Sequence, residues 1–277
     1  LEPRHGHWSN YPMTVARRLA RNFAGARRGA DIAFVSDLPA ASGMSSSSAM
    51  MVATYLALAA INQLEQAPEY GRNIAGPLAL AAYLGTVENG QTFGDLVGDR
   101  GVGTFGGSED HTAILCSQAG KLGQFGYCPA RFERYLPLPA GLVFAVGFSG
   151  VVAEKTGAAQ ALYNRASGLV QAIVTLWRQA TGSSTVYLEQ VLASAPDAAT
   201  RLRQLLSAAS AEGYAAGELV RRLDHYVAEN QQIVGPAGDA LLAGDLTAFG
   251  RLVDRSQELT EALLGNQVPQ TVRLARQ

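Results

Sequence analysis

The sequence predicts an α+β protein built from two lobes, a mixed lobe of strands and helices followed by a helical lobe. Short apolar runs closed by proline or glycine, which are typical of strands, occur in the first half of the 277 residues. From residue 158 to residue 277 almost every stretch has helical periodicity. The change between these two patterns falls near residue 150, so we predict domains at 1–150 and 151–277.

The first half begins with a strand, loop and helix unit. The stretch "DIAFVSDLP", residues 31–39, reads as a short strand closed by Pro39, and "SSSSAMMVATYLALAAINQL", residues 45–64, as the helix after a glycine-containing turn. A second helix is predicted over residues 77–90, ending at Gly90. The glycine-dense stretch that follows, up to residue 111, predicts a loop.

The second half is predicted to be helical after one more strand. "GLVFAVGFS", residues 141–149, is a continuous apolar run that indicates a buried strand. Residues 219–264 predict two amphipathic helices, separated by Gly235-Pro236 and a turn at Gly244-Asp245.

Composition narrows the class of partner. A net charge of −1, with 48% hydrophobic and 16% charged residues, predicts neither disorder nor a basic nucleic-acid surface, which leaves a small-molecule ligand. The longest apolar stretch, residues 50–61, is too short to span a membrane, and "LEPRHGHWSN" lacks a signal-peptide pattern. Cys116 and Cys128 form neither a CxxC motif nor a disulfide framework. We therefore expect a cytoplasmic protein without nucleic-acid or membrane partners.

The run of four serines, Ser45 to Ser48, is the feature that indicates a ligand. A glycine and small residues at a helix start leave backbone N–H groups available to an anion, and serine hydroxyls can bind phosphate oxygen or Mg²⁺. The GK[ST] ending of a P-loop and the GxGxxG fingerprint are both absent from this stretch. From the residues alone, a helix capped by one serine and no ligand is an equally open interpretation.

The same stretch, "LPAASGMSSSSAM", resembles the P-x-x-x-G-L-x-S-S-A motif of the GHMP small-molecule kinases, in the form seen in galactokinases. Pro39, Gly43 and the pair Ser46-Ser47 fall on motif positions. Met44 stands in place of the usual leucine, and Ser48 stands where alanine is commoner.

Five further stretches resemble galactokinases in the same order along the chain. "HWSNYPMTV" is similar to a W-x-N-Y segment, and "FGGSEDHTAIL" to a C-G-x-x-D-Q segment, with Asp110 on the aspartate and His111 in place of the glutamine. "VGFSGVVAEKTGAAQALYNRAS" is similar to a strand, a lysine (Lys155) and a Y-N-x-R stretch. "RRLDHYVAEN" and "GDLTAFGRLVDRSQ" resemble two helical stretches. The resemblance covers most of the chain.

The resemblance implies a two-lobed GHMP kinase fold with a ferredoxin-like, helix-rich C-terminal lobe. It implies ATP-dependent phosphorylation of a monosaccharide at its anomeric C1 hydroxyl, with Asp110 orienting the sugar and acting as base. Tyr163 would bind the sugar. The ATP phosphates would be held by six residues: Gly43, Met44, Ser45, Ser46, Ser47 and Ser48.

The resemblance also suggests ligands for Mg²⁺. Mg²⁺ would be bound by Glu88 together with either Ser46 or Ser47. Glu88 is chosen because "VENGQTFG" looks like the family's A-E-x-x-(aromatic)-x-G segment. The register is open here, so Asp95 is a competing ligand. His111 receives no catalytic role, and Glu88 facing solvent or Tyr163 in the core are the structural alternatives.

Two family motifs are absent, one expected before residue 1 and a glycine-rich one expected after residue 277, which predicts a segment of a longer protein. An inactive sugar-binding and ATP-binding sensor is therefore an alternative to an enzyme. Arabinose, a uronic acid or a heptose phosphate are alternative acceptors, and a monomer or a homodimer are both open. A hydrolase triad is disfavoured because no G-x-S-x-G motif occurs.

Overall fold

The computed structural model describes residues 4, 7–38, 42–152, 158–209, 211 and 213–277, except for the side chains of residues 158 and 159. The chain divides into two compact units, one of Leu1–Ser117 with Val152–Tyr163 and the other of Gln118–Val151 with Asn164–Gln277. Residues 118–151 therefore group with the C-terminal helices and not with the N-terminal residues. The division into family lobes at 1–150 and 151–277 stays a prediction.

The first unit is helical in its described part. Its helices are α1 (Asn10–Asn22), α2 (Ser46–Asn62), α3 (Pro68–Asn73), α4 (Pro77–Asn89) and α5 (Glu109–Cys116), and a 3₁₀ turn covers Leu64–Gln66. The predicted helices at 45–64 and 77–90 are confirmed as α2 and α4. Pro77 begins α4, where its fixed φ suits the helix, and Gly90 ends it with a φ of +88°.

The core of the first unit lies around α1, which packs against both α2 and α4. Val15 and Leu19 of α1 and Phe23, its C-cap residue, are spaced four residues apart, and each is at most 2% exposed. Met51 of α2 and Tyr83 of α4 are fully buried in the same cluster. This packing fixes α2 and α4, which carry the serine run and Glu88, relative to each other.

The second unit combines a hairpin with helices. Its strands are β1 (Lys121–Gly126) and β2 (Arg131–Pro137), which pair antiparallel with Lys121 opposite Pro137. Its helices are α6 (Ala158–Thr181, whose residues from 164 onward belong to this unit), α7 (Leu188–Ala193), α8 (Ala198–Ala208), α9 (Ala216–Val227), α10 (Val234–Ala243), α11 (Leu246–Leu259) and α12 (Pro269–Ala275). The helical character predicted for residues 158–277 is confirmed. No helix in the described part of the chain has the length and hydropathy needed to cross a membrane.

Two predicted strands are wrong. Residues 31–38 and 141–149 form no strand, Val35 is fully exposed, and Val143 is 86% exposed; Pro39 lies outside the described residues. An apolar run creates a preference for burial, but a strand also needs a ladder partner, and neither segment has one among the described residues. The hairpin β1–β2 was missed; its Phe125 and Phe132 rings pack edge to face at 5.5 Å.

The break predicted at Gly235-Pro236 is also wrong. The chain stays helical from α9 through a π-helical stretch (Ala228–Ile233) into α10. Pro236 is the third residue of α10, in the first turn, where a helix does not need the N–H that proline lacks. The predicted turn at Gly244-Asp245 is confirmed, because Gly244 has a φ of +71° and the Asp245 carboxylate caps α11 by accepting from the Ala248 N–H at 2.8 Å.

Candidate functional site

The serine run forms the turn into α2. Gly43 has a φ of +79°, and Ser45 is left-handed with a φ of 53°, so the chain reverses sharply before the helix begins at Ser46. The Ser45 side chain makes no capping hydrogen bond to the helix. The backbone N–H groups of the first turn of a helix have no partner within that helix, so this turn presents donors of the kind that bind anions.

Ser48 connects the serine run to two carboxylates. Its side chain is fully buried, and its hydroxyl lies within hydrogen-bond distance of Glu88 Oε2 on α4 and of Asp110 Oδ2 on α5, at 3.4 Å in both cases. Three helices that are distant in sequence thus place a hydroxyl and two carboxylates together. This cluster of Ser48, Glu88 and Asp110 is the candidate functional site.

The Glu88 carboxylate has further neighbours. Thr104 Oγ1 donates to Glu88 Oε1 at 3.3 Å, and His111 Nε2 lies 3.5 Å from Glu88 Oε2. Thr104 and His111 are 2% and 0% exposed, and Glu88 itself is 8% exposed. A buried carboxylate needs such polar partners because burial alone penalises its charged form. Glu88 therefore does not face solvent.

The glycine-dense loop packs closely on the C-terminal end of α4. The Val102 N–H donates to the Glu88 carbonyl oxygen, and Asn89 Nδ2 donates to the Gly106 carbonyl oxygen, both at 2.9 Å. A Cβ at Gly101 would collide with the Glu88 carbonyl oxygen. The glycines here allow the loop to approach α4, and this approach delivers Thr104 to the carboxylate.

A second close approach positions Asp110. Gly85 lies one turn before Glu88 on α4, and a Cβ at Gly85 would lie 2.9 Å from the Ser108 Cβ and 3.0 Å from its Cα. Ser108 immediately precedes α5, which carries Asp110 in its first turn. The absence of a side chain at Gly85 thus lets α5 approach α4 closely enough for Ser48 to reach both carboxylates.

Two tyrosines share this electrostatic environment. Burial, together with the negative charges of Glu88 and Asp110, raises the pKa of Tyr163 to about 12. Burial and the charge of Glu88 also raise the pKa of Tyr11, while a hydrogen bond with Ser47 acts in the opposite direction. The Tyr163 hydroxyl lies where a Cβ on Gly106 would be. Both phenols are protonated at neutral pH and can donate hydrogen bonds.

The structure separates the two candidates for the acidic Mg²⁺ ligand. Asp95 is exposed, its carboxylate lies 3.9 Å from Arg72 Nε, and its N–H donates to Asn73 Oδ1 at 2.9 Å. Glu88 lies with Ser48 and Asp110 instead. Ser46 and Ser47 are half-buried at the start of α2, whereas Met44 is exposed. Lys155 lies outside the described residues.

The donor set fits Mg²⁺, which prefers hard oxygen ligands and usually takes few of them from protein. The buried Glu88 carboxylate and the half-buried Asp110 carboxylate each lie 3.4 Å from one hydroxyl, so a cation would offset the repulsion between them. Within the described part of the chain, no group of three or more His, Cys, Asp and Glu residues could hold a metal ion. A Mg²⁺ site here would therefore combine carboxylates with serine hydroxyls and substrate phosphate.

Sequence reasoning missed several members of this environment. Thr104 and Tyr11 received no role, and His111 was set aside as structural. The signal for His111 was its place directly after Asp110, and the signal for Tyr11 was its place in the W-x-N-Y segment. No local pattern indicates Thr104, because its contact with Glu88 depends on how the loop packs on α4.

Comparison with known proteins gives two matches. Residues 10–91 match the family model described as GHMP kinases N terminal domain, a range that includes the serine run and Glu88 and ends before Asp110. The chain is 30% identical over 264 residues to a galactokinase of Chloroflexus aggregans. That match covers 91% of this chain and 55% of the relative, so the chain spans about half the length of the curated relative it matches.

Proposed function

Since this chain belongs to the GHMP kinase superfamily and is galactokinase-like, we propose that the protein transfers the γ-phosphoryl group of ATP to the anomeric C1 hydroxyl of a monosaccharide. Galactose is the proposed acceptor, because the matched relative is named a galactokinase. Arabinose, a uronic acid and a heptose phosphate are the alternatives to be compared with it. ATP as donor fits the cytoplasmic location that the sequence predicts.

The observation that carries this proposal is the contact of Ser48 with both Glu88 and Asp110. Phosphoryl transfer requires a bound triphosphate, neutralised charge and an oriented acceptor hydroxyl, more than covalent chemistry by the protein. The serine run supplies phosphate donors, and its last member, Ser48, in the first turn of α2, touches the proposed base. Donor and base are therefore held by one rigid element.

Each residue has a part in the proposed reaction. The backbone N–H groups of Gly43 to Ser48 and the hydroxyls of Ser45 to Ser47 bind the phosphates, and Glu88 with Ser46 or Ser47 would hold Mg²⁺, which supplies charge neutralisation when bound. Asp110 orients the C1 hydroxyl and accepts its proton as the bond from O1 to the γ-phosphorus forms and the bond to the leaving ADP oxygen breaks. Tyr163 donates a hydrogen bond to the sugar.

A sugar-binding and ATP-binding sensor without turnover is the second candidate. The observation that favours it is His111, which replaces the usual glutamine and lies 3.5 Å from Glu88 Oε2, where it competes with a cation for that oxygen. The enzyme is preferred because Asp110 and the serine run are both present and in contact through Ser48.

The test is ADP release by the full-length protein with Mg²⁺, ATP and a panel of sugars that includes the four acceptor classes. Asp110→Asn keeps the shape of the side chain and removes the base, so we expect turnover to fall about 10³-fold. Asp254→Asn, at an exposed position of α11, is the matched control and is expected to retain wild-type turnover. Comparing Glu88→Gln with Asp95→Asn tests the metal ligand, since only the former should raise the Mg²⁺ requirement.

Binding of sugar and ATP by calorimetry without ADP release from any sugar would favour the sensor over the enzyme. Binding of neither ligand would overturn both functions.

A further inference from the structure

We infer that Ser48 is a positioning residue, whose hydroxyl holds the Glu88 and Asp110 carboxylates in a fixed relation so that the metal ligand and the base act on the same substrate geometry. This inference rests on the proposed function, and the structural observation behind it is the position of the buried Ser48 hydroxyl between the two carboxylates.

Ser48 occupies the buried face of α2. Met51, Val52 and Tyr55 follow it at helical spacing of three, four and seven residues, and all four side chains are at most 4% exposed. The other three side chains on this stripe pack in the core, so an alanine would suit position 48 as well in packing terms. A buried hydroxyl is unfavourable unless it is hydrogen-bonded. The contacts with the two carboxylates provide those hydrogen bonds.

The hydroxyl has one proton and two acceptors. It lies 3.4 Å from Glu88 Oε2 and 3.4 Å from Asp110 Oδ2, so it donates to one carboxylate at a time or shares its proton between them. Two carboxylates this close repel each other, and a donor between them reduces that repulsion. As Asp110 takes the proton of the sugar hydroxyl, its charge disappears and the Ser48 proton is free to turn fully to Glu88.

Neighbouring donors do not replace this contact. Thr104 Oγ1 reaches the other oxygen of Glu88, Oε1, at 3.3 Å, and so fixes the carboxylate from the loop side. His111 lies 3.5 Å from the same oxygen as Ser48 but belongs to α5, the helix that carries Asp110. Ser48 connects the two acids from a third element, α2, which also begins with the serine run.

The experiment compares Ser48→Ala with Ser48→Cys in the full-length protein. Cysteine keeps the approximate volume of the side chain but is a weak donor, so it separates packing from hydrogen bonding. We expect both variants to lower kcat about tenfold, to raise the Mg²⁺ concentration for half-maximal rate severalfold, and to leave the KM for sugar within about twofold.

Thr54→Val is the matched control. Thr54 is a buried hydroxyl on the same helix, 2% exposed, and it donates to the Met50 carbonyl oxygen at 2.8 Å. Its loss is expected to change thermal stability but neither kcat nor the Mg²⁺ requirement. A purely structural role for Ser48 would make Ser48→Ala behave like Thr54→Val, and this would overturn the inference, as would wild-type kinetics in Ser48→Cys.

Different results would contradict the proposed kinase activity and the proposed role of Ser48. Absence of ADP release by the wild-type protein with every sugar contradicts the proposed enzyme. In that case the positioning role is tested by calorimetry, where Ser48→Ala is expected to weaken ATP binding in Mg²⁺ but not in EDTA. Equal Mg²⁺ dependence in the variant and the wild type, in turnover or in binding, contradicts the inference about Ser48 alone.

Discussion

The two units of the chain bury polar side chains to different extents. Among the described residues, His225 is the buried polar or charged side chain of the second unit. The first unit buries a larger set: Thr14, Arg18, Asn22, Ser48, Thr54, Glu88, Thr104, His111 and Thr112. Burial of a polar group is unfavourable unless its hydrogen bonds are made. The stability of the first unit therefore depends on buried hydrogen bonds as well as apolar packing, whereas that of the second unit depends mainly on apolar packing.

The buried polar groups of the first unit serve two purposes. Arg18 and Asn22 on α1 bind backbone carbonyl oxygens of the loop after α4, which fixes that loop. Ser48 and Glu88 belong to the candidate site. The second unit has a core of aliphatic side chains with Trp177 and Tyr226, in which Ile173, Leu202 and Leu219 are fully buried. The comparison indicates that the unit bearing the site adds buried polar contacts to its apolar core.

Removing Arg18 should give the largest change in stability. Its guanidinium donates to Gln91 O at 2.7 Å, to Leu96 O at 3.2 Å and to Asn22 Oδ1 at 2.6 Å, and the side chain is 1% exposed. Arg18→Leu removes these three hydrogen bonds of the buried side chain, so we expect a loss of about 3–5 kcal/mol in the free energy of unfolding, measured in urea.

The control for Arg18 is Arg251→Leu, at an exposed position of α11 in the second unit. This change is expected to alter stability by at most about 0.5 kcal/mol. If both variants unfold at the same urea concentration, buried polar contacts do not contribute more to stability in the first unit than in the second.

A methyl group at Gly85 should have an intermediate effect. Alanine favours helix formation over glycine, but its Cβ would lie 2.9 Å from the Ser108 Cβ and would push α5 away from α4. We expect Gly85→Ala to destabilise the protein by about 1–3 kcal/mol and to lower ADP release, because Asp110 moves with α5.

Gly250→Ala is the matched control in the second unit, because no atom lies within 4 Å of a Cβ at that position of α11. It is expected to stabilise the protein by about 0.5–1 kcal/mol without changing turnover. Stabilisation by Gly85→Ala as well would show that the α4–α5 approach is not tight.

The contribution of His225 to the pH dependence of stability should be the smallest effect. It tests the buried polar side chain of the second unit. Burial, followed by the positive charge of Arg222, lowers the pKa of His225, while Glu229 opposes this shift. The folded state thus binds the proton less well than the unfolded state, whose histidine pKa is about 6.5. Stability from the neutral ring is present above that pH and is lost as pH falls below it.

Unfolding in urea between pH 7.5 and pH 5.5 measures this contribution. The decline in unfolding free energy toward low pH should be shallower in His225→Gln than in the wild type. The wild-type decline also includes other titratable groups, so the difference between the two proteins is the relevant quantity. Parallel curves would contradict a role for His225.

Local signals explain which elements could be predicted. The helix α4 was placed correctly because Pro77 and Gly90 fix its start and end within the sequence itself. The runs at 31–39 and 141–149 were misassigned because a strand is specified by a partner that a local apolar pattern does not identify. Pro236 was read as a break because the preceding π-helical stretch, which places it in a first turn, has no local signature.

The candidate site was predictable to a similar extent. Glu88 and Asp110 came from resemblance to a family, and the structure places them together, while their roles stay predictions. The sequence left Glu88 and Asp95 as competing metal ligands, because Glu88 lies in the last turn of α4 and Asp95 follows soon after it. The structure places Glu88 beside Thr104 and Asp95 beside Arg72, and which of the two binds Mg²⁺ stays a prediction.

The sequence by itself determined the positions of α2 and α4 and the resemblance to the GHMP kinases, since these depend on residues that are neighbours along the chain. Phosphate binding by the serine run stays a prediction. Only the tertiary structure decided that Ser48, Glu88 and Asp110 lie in one cluster. Its physical cause is the close packing of α4 on α5 at Gly85 and of the glycine-dense loop on α4. Such contacts form because glycine has no side chain and another segment of backbone can approach it closely. The sequence alone does not show which segment that will be.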